Sequence, residues 1–315
     1  MNKRQGEKII PDFIEDDLIC GFETVLNRPG YLRYPVEISR ISQQDEKEIG
    51  YDGVLTSIVP FYIQFKRSTF YTPSFTGKTM IDRQRSRLST NRGYYGFNLH
   101  LNKKSEPEQH NKLFTLSQIS KAIYVAPLFH KKIQLSKYKM QDNFFPWEYR
   151  DIEINDGLFR RIPIKSVRFF HDLITIPPHK HISDDLVNHS YTYSRDLDIC
   201  FHSDPEVIDS DGRNLFSVFL YEILSNQEND IDFDIHANKM MGLIPELLDL
   251  EDESKKLLVI LQSIISSTLI GMDLEEIESF EELQKRLTSY EKLVVVEQIL
   301  YKYFNIIQYF KFVRM

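Results

Sequence analysis

The stretch YDGVLTSIVPFYIQFKRS, residues 51 to 68, sets an acid at the head of one short apolar run and an amide and an amine at the tail of the next. Asp52, Gln64 and Lys66 are residue types that act together in phosphoryl chemistry. A carboxylate and an amide oxygen are hard donors suited to Mg²⁺ (or Mn²⁺), and the Phe65 carbonyl between Gln64 and Lys66 can add a third ligand. A lysine beside them can orient a water and offset charge on a phosphate under attack. The combination points to phosphodiester hydrolysis. The plainer alternative is a cross-strand ion pair between Asp52 and Lys66, worth little, with Gln64 on an exposed face.

Such residues need strands to position them. Two β-rich runs turning near Ile58 to Pro60 predict a hairpin over residues 51 to 67. Pairing symmetric about Val59 then puts Asp52 opposite Lys66 and Gln64 diagonally beside it, while Phe61, Ile63 and Phe65 point to the core. Before the hairpin, residues 12 to 27 predict a helix with Ile14, Leu18, Phe22, Val25 and Leu26 on one face. Asp12 is its expected N-cap, with Glu15 three residues on. YLRYPVEIS reads as a strand, EPEQHNKLFTLSQIS as a helix starting around Gln109 and His110, and KAIYVAPLF as a buried strand ended by Pro127. Strand-like pieces between 130 and 205 have no evident order. From about 211 onward helical periods dominate, through SFEELQKRLTSYEKLVVVEQILYKYFNIIQYF.

The pieces FE, GYDG and YIQFKRS resemble the PD-(D/E)XK nuclease superfamily, most closely its Mrr-like restriction endonuclease branch. The resemblance covers roughly residues 12 to 127 and implies an α/β (mixed α+β) fold with a restriction-endonuclease-like αβββαβ core. It implies Asp52, Gln64 and Lys66 as the catalytic set, with Gln in place of the commoner Glu. Glu23, following Phe22, corresponds to the family's helix acid. Glu46, six residues before Asp52, can reach the same place from a loop, and Glu15 lies nearer the centre of the helix face, where capping also explains it. The expected organisation is a nuclease domain over 1–205, with a basic insertion at 68–106, and a helical domain over 206–315 for partner or self association.

The net charge is −7, yet residues 60 to 140 carry 15 Lys or Arg against 3 Asp or Glu. That asymmetry favours a polyanionic partner for this segment. Arg67, Lys78, Arg83, Arg85, Arg87 and Arg92 would hold phosphates, and Tyr94 and Tyr95 could stack on unpaired bases. DRQRSRLSTNR reads as a flexible phosphate-binding loop. DNA is the expected partner, with a protein partner of a prokaryotic restriction or anti-phage system and a second copy of the chain as further candidates. The alternative is a catalytically inactive nucleic-acid-binding or phage-sensing module of a defence complex.

Other chemistries find less support. Cys20 and Cys200 have no paired spacing, so neither a disulfide framework nor a cysteine zinc site is expected. The histidines around PPHKH read as a polar surface loop before they read as zinc ligands. No Walker A, GxGxxG or nucleophile-elbow sequence occurs. No apolar stretch predicts a signal peptide or a membrane span, so a cytoplasmic protein is expected.

Overall fold

The computed structural model of the chain describes residues 6–27, 36–41, 57–99, 109–140, 150–155, 161–166, 168–183, 189–203, 205–208, 215–225, 230–269 and 277–313. Asp52 and Glu46 lie outside these residues. In chain order the first elements are β1 (Lys8–Ile9), α1 (Glu15–Leu26), β2 (Val36–Ser39), β3 (Ser57–Phe65), β4 (Thr69–Tyr71), α2 (Lys78–Arg85), β5 (Tyr94–Leu99), α3 (Gln109–Ser117), β6 (Lys121–Pro127) and α4 (Lys132–Met140). There follow β7 (Arg150–Asn155), β8 (Arg161–Ser166), α5 (Arg168–His171), β9 (Leu173–Ile176), β10 (His189–Tyr193), β11 (Ile199–His202), β12 (Glu206–Ile208) and α6 (Phe216–Ser225). The last are β13 (Ile231–Asp232), α7 (Phe233–Gly242), α8 (Ile244–Leu247), α9 (Ser254–Thr268), α10 (Phe280–Arg286), α11 (Ser289–Phe304) and β14 (Ile307–Val313). The fold is mixed α/β. Among the described residues no helix is long and apolar enough to cross a membrane.

The chain divides into two compact units, one of residues 1–33 and 63–226 and one of residues 34–62 and 227–315. The first holds a six-stranded sheet in the order β1-β4-β5-β10-β11-β12, and β6 pairs antiparallel with β9. In the second, β14 pairs antiparallel with β2, and β13 pairs with β3 at Ser57 and Ile58. The expected boundary at 205/206 thus has its counterpart at 226/227, and residues 34–62 go with the C-terminal part.

Three expectations are corrected. There is no turn at Ile58 to Pro60: β3 runs unbroken from Ser57 to Phe65. Its β-branched and aromatic residues favour an extended, buried strand, and one proline is tolerated where no ladder bond needs its N–H. The turn expected about Val59 is therefore replaced by continuous strand, and Asp52 itself lies outside the described residues. DRQRSRLSTNR is not a loop throughout, because its Asp82 to Arg85 belong to helix α2, and on either side of it Thr69–Tyr71 and Tyr94–Leu99 pair as neighbouring strands of the six-stranded sheet. The final helical run stops at Asn305, which adopts a left-handed φ of 52° and lets the Asn305 and Ile306 N–H groups reach the Tyr301 and Leu300 carbonyls. Beyond that cap the apolar Ile307, Tyr309 and Phe310 continue as β14.

Buried histidines make each unit sensitive to acid. His110 bonds to the Tyr124 hydroxyl at 2.7 Å and the Lys180 carbonyl at 2.8 Å, and burial lowers its pKa to about 4. In the second unit His236 lies 3.3 Å from the Tyr62 hydroxyl and is likewise lowered to about 4, chiefly by burial. A base with a depressed folded pKa leaves the unfolded state binding more protons below pH 6.5, so stability falls as pH drops from 6.5 to about 4 and then levels off. Each histidine contributes a loss on the order of 3 kcal/mol at about 1.4 kcal/mol per pKa unit. Urea midpoints between pH 7 and pH 4 should fall accordingly, and a flat profile would contradict buried neutral imidazoles.

Candidate functional site

The C-terminal end of β3 gathers polar groups that an interior strand ordinarily avoids. Gln64 is fully buried, and its Nε2 donates to Gln109 Oε1 at 3.0 Å, at the first residue of α3. That bond orients the Gln64 amide. Lys66, two residues on, is only 6% exposed, and its N–H donates to the Val125 carbonyl of β6 at 2.9 Å. Phe65 between them is buried, its ring meeting Phe22 of α1 edge-on at 5.1 Å. The aromatic contact locks α1 against the strand end, so the polar pair sits on a rigid support.

An acid on α1 completes this cluster, and it is Glu15. Its Oε1 accepts from the Arg67 N–H at 3.4 Å, and it is the charge that most offsets the effect of burial on Lys66. Burial holds the Lys66 ammonium below the usual lysine pKa, and the Glu15 carboxylate raises it part of the way back. The cap expected of Asp12 and Glu15 is made otherwise: Ile14 is the N-cap residue, its N–H donates to Asp17 at 3.2 Å, and Asp12 accepts from the Lys132 N–H. Glu15 is thereby released from a capping role. Glu23 lies eight residues further along the same helix, about 12 Å at 1.5 Å per residue, and is half-buried. The structure joins Glu15, Gln64, Lys66 and Gln109. From the sequence, the place of Glu15 on the helix face is weighed against a capping role, and in the structure Asp17 accepts the cap N–H instead.

The basic residues separate into two kinds. Arg67, Lys78, Arg85, Arg87 and Arg92 are exposed. Arg83 is not: its side chain is fully buried, pairs with Asp198, and donates to the Ser89 carbonyl at 2.9 Å and Thr192 Oγ1 at 3.2 Å. Its guanidinium also lies over the Tyr94 ring, 5.1 Å from the centroid. Tyr94 is completely buried and Tyr95 is 3% exposed, stacked at 5.7 Å on Tyr193. Arg83 and both tyrosines are therefore withdrawn from the expected nucleic-acid contacts, because sheet pairing of β5 turns these rings into core.

The histidines are structural too. His202 is buried between Asp82 Oδ2 at 3.0 Å and Thr192 Oγ1 at 2.7 Å, and His179 meets the Tyr191 hydroxyl at 2.8 Å. His189 pairs with Ser203. Among the described residues no three His, Cys, Asp or Glu side chains converge as a metal cluster. Glu15 and Gln64 are oxygen donors of the kind a hard divalent cation takes. In comparisons with known proteins, no family model, no curated protein and no solved structure matches the chain.

Proposed function

We propose that the chain is a metal-dependent nuclease hydrolysing phosphodiester bonds in DNA on a restriction-endonuclease-like core. The observation that carries this reading is the buried Lys66 at the end of β3, two residues after a buried Gln64 and opposed by Glu15 of α1. A structural lysine has little reason to stay in such a place, and a lysine that handles water and phosphate charge does. Along the chain α1 and β2 come before β3, and α3 and β6 come after it with β4, α2 and β5 between.

In this reading Glu15 and Gln64 would hold a divalent cation, with Asp52 as the further carboxylate that the resemblance implies, and the cation would supply Lewis-acid stabilisation of phosphate charge. Lys66 donates hydrogen bonds to the attacking water or to a non-bridging phosphate oxygen. Its lowered proton affinity makes it a readier proton donor than an exposed lysine. Gln109 keeps the Gln64 amide in one orientation.

The second reading is a catalytically idle nucleic-acid-binding module. The exposed Lys78, Arg85, Arg87 and Arg92 favour it, since they would serve binding alone as well as cleavage. The test incubates the full chain with plasmid and single-stranded DNA in Mg²⁺, Mn²⁺ or EDTA. Cleavage should require metal and be lost in Asp52→Ala and Lys66→Ala. Glu15→Gln should lower the rate at least about 100-fold while Glu23→Gln leaves it within about twofold. Equal effects of the two glutamate changes would sink the assignment of Glu15. DNA binding without metal-dependent cleavage would favour the idle module.

A further inference from the structure

The segment after α2 carries an arginine where the backbone favours glycine. At the helix end the Leu88 N–H reaches the Arg83 carbonyl at 2.9 Å and the Arg87 N–H reaches the Gln84 carbonyl at 3.0 Å. This is the six-to-one and five-to-two pattern of a Schellman end, whose left-handed residue is usually glycine. Here that residue is Arg87, with φ at 58°. Six residues on, the chain does use glycine for the same conformation: Gly93 has φ at 75°, and a Cβ there would lie 2.5 Å from the Tyr71 carbonyl oxygen. Arg87 is therefore held in a backbone state that a side chain disfavours, and it is exposed.

The segment is also held still. Asp198 accepts from buried Arg83 and, at 2.7 Å, from the Ser89 N–H, while Arg83 donates to the Ser89 carbonyl. Both backbone polar groups of Ser89 are tied to one ion pair, whose arginine is buried. Asp198 follows Leu197, another left-handed residue, with φ at 65°, so strain flanks the tie on both sides. Outward from this anchor stand Lys78, Arg85, Arg87 and Arg92, none joined to a carboxylate among the described residues. Tyr94 and Tyr95, the rings that would stack on bases, are in the core.

We infer that Lys78–Arg92 is a pre-organised phosphate-binding arm for duplex DNA, in which Arg83 and Asp198 are positioning residues and Arg87 is kept at a cost to stability. Cations without stacking rings read the backbone of a duplex, and single-strand binders pair cations with exposed aromatics. A fixed arm loses less entropy on binding than a mobile one. The inference extends the nuclease reading by naming what holds the substrate, and it is tested without cleavage.

The test measures fluorescence anisotropy of a labelled duplex with the full chain in EDTA across a salt series, beside thermal unfolding. Arg87→Gly should raise the melting temperature by about 2 °C. It should also weaken duplex binding about fivefold and reduce the slope of log affinity against log salt by about 0.9, one phosphate contact. Arg92→Ala should show the same loss with no gain in melting temperature. The arm is refuted if Arg87→Gly leaves affinity and slope unchanged, or if wild-type chain does not bind the duplex. A melting temperature that stays level or falls in Arg87→Gly overturns the stability cost, and tighter binding to single strands overturns the duplex assignment. Because EDTA suppresses metal-dependent cleavage, loss of the nuclease reading alone would leave these results standing.

Discussion

Lys66→Met is expected to make the chain more stable and catalytically silent. An ammonium in a site only 6% exposed has lost most of its hydration, and Glu15 restores part of what burial removes. Methionine keeps an unbranched apolar stem of similar reach and needs no counter-charge. The gain at neutral pH should be about 1–2 kcal/mol, and the loss of cleavage at least about 10³-fold. The direction of the pH dependence follows from the lowered folded pKa. Between that value and 10.5 the unfolded chain binds more protons than the folded one, so native stability of the wild type rises with pH. Below the folded pKa the full penalty applies. The stability gap between variant and wild type should thus be widest below the folded pKa and close towards pH 10.5. Urea midpoints at pH 7 and pH 9.5 measure it. A Lys66→Met variant less stable at pH 7 would mean that the ammonium is well paired, and the argument that function retains it would fail.

A residue placed against its own stability was visible in the sequence only as a pattern. IQFKRS put Gln64 and Lys66 at the end of an apolar strand, and the structure buries both there. Helix α1, helix α3 and strand β6 were legible because each buries one face or a whole run, and periodicity records that. The unbroken run of β3 was not legible. Pro60 is a strong local turn signal, but it competed with burial of Phe61, Tyr62 and Ile63 in one continuous strand, and local chemistry carries no record of that burial. The same limit applied to Tyr94 and Tyr95, whose exposure depends on β5 pairing with β10, more than ninety residues later. Arg83 sits amid Arg85, Arg87 and Arg92 in composition, and only the distant Asp198 sets it apart. Long-range partners decided each case that sequence misplaced.

That dependence makes Asp198 a position where one substitution should cost heavily. Asp198→Ala leaves the Arg83 guanidinium, with 0% of its side chain exposed, without its carboxylate, and leaves the Ser89 N–H without its acceptor. Removing one partner of a buried pair typically costs 3–5 kcal/mol, and since Asp198 is 19% exposed some water already screens the pair, so a loss of about 3 kcal/mol is expected. For a unit of this size that lowers the melting temperature by about 6–12 °C. Thr192 and the Ser89 carbonyl still accept from Arg83, which keeps the loss from being larger. Combining Asp198→Ala with Arg83→Met removes the orphaned charge and should recover most of the stability, giving a coupling of at least about 2 kcal/mol in a double-mutant cycle. The recovered protein should nonetheless bind duplex DNA more weakly than wild type, because Ser89 is no longer tied and the arm must be ordered on binding. A single variant that loses under about 1 kcal/mol would show that solvent has already relaxed the pair. A stable double variant with wild-type affinity would separate the anchor from the arm and leave Arg83 and Asp198 with a purely structural part.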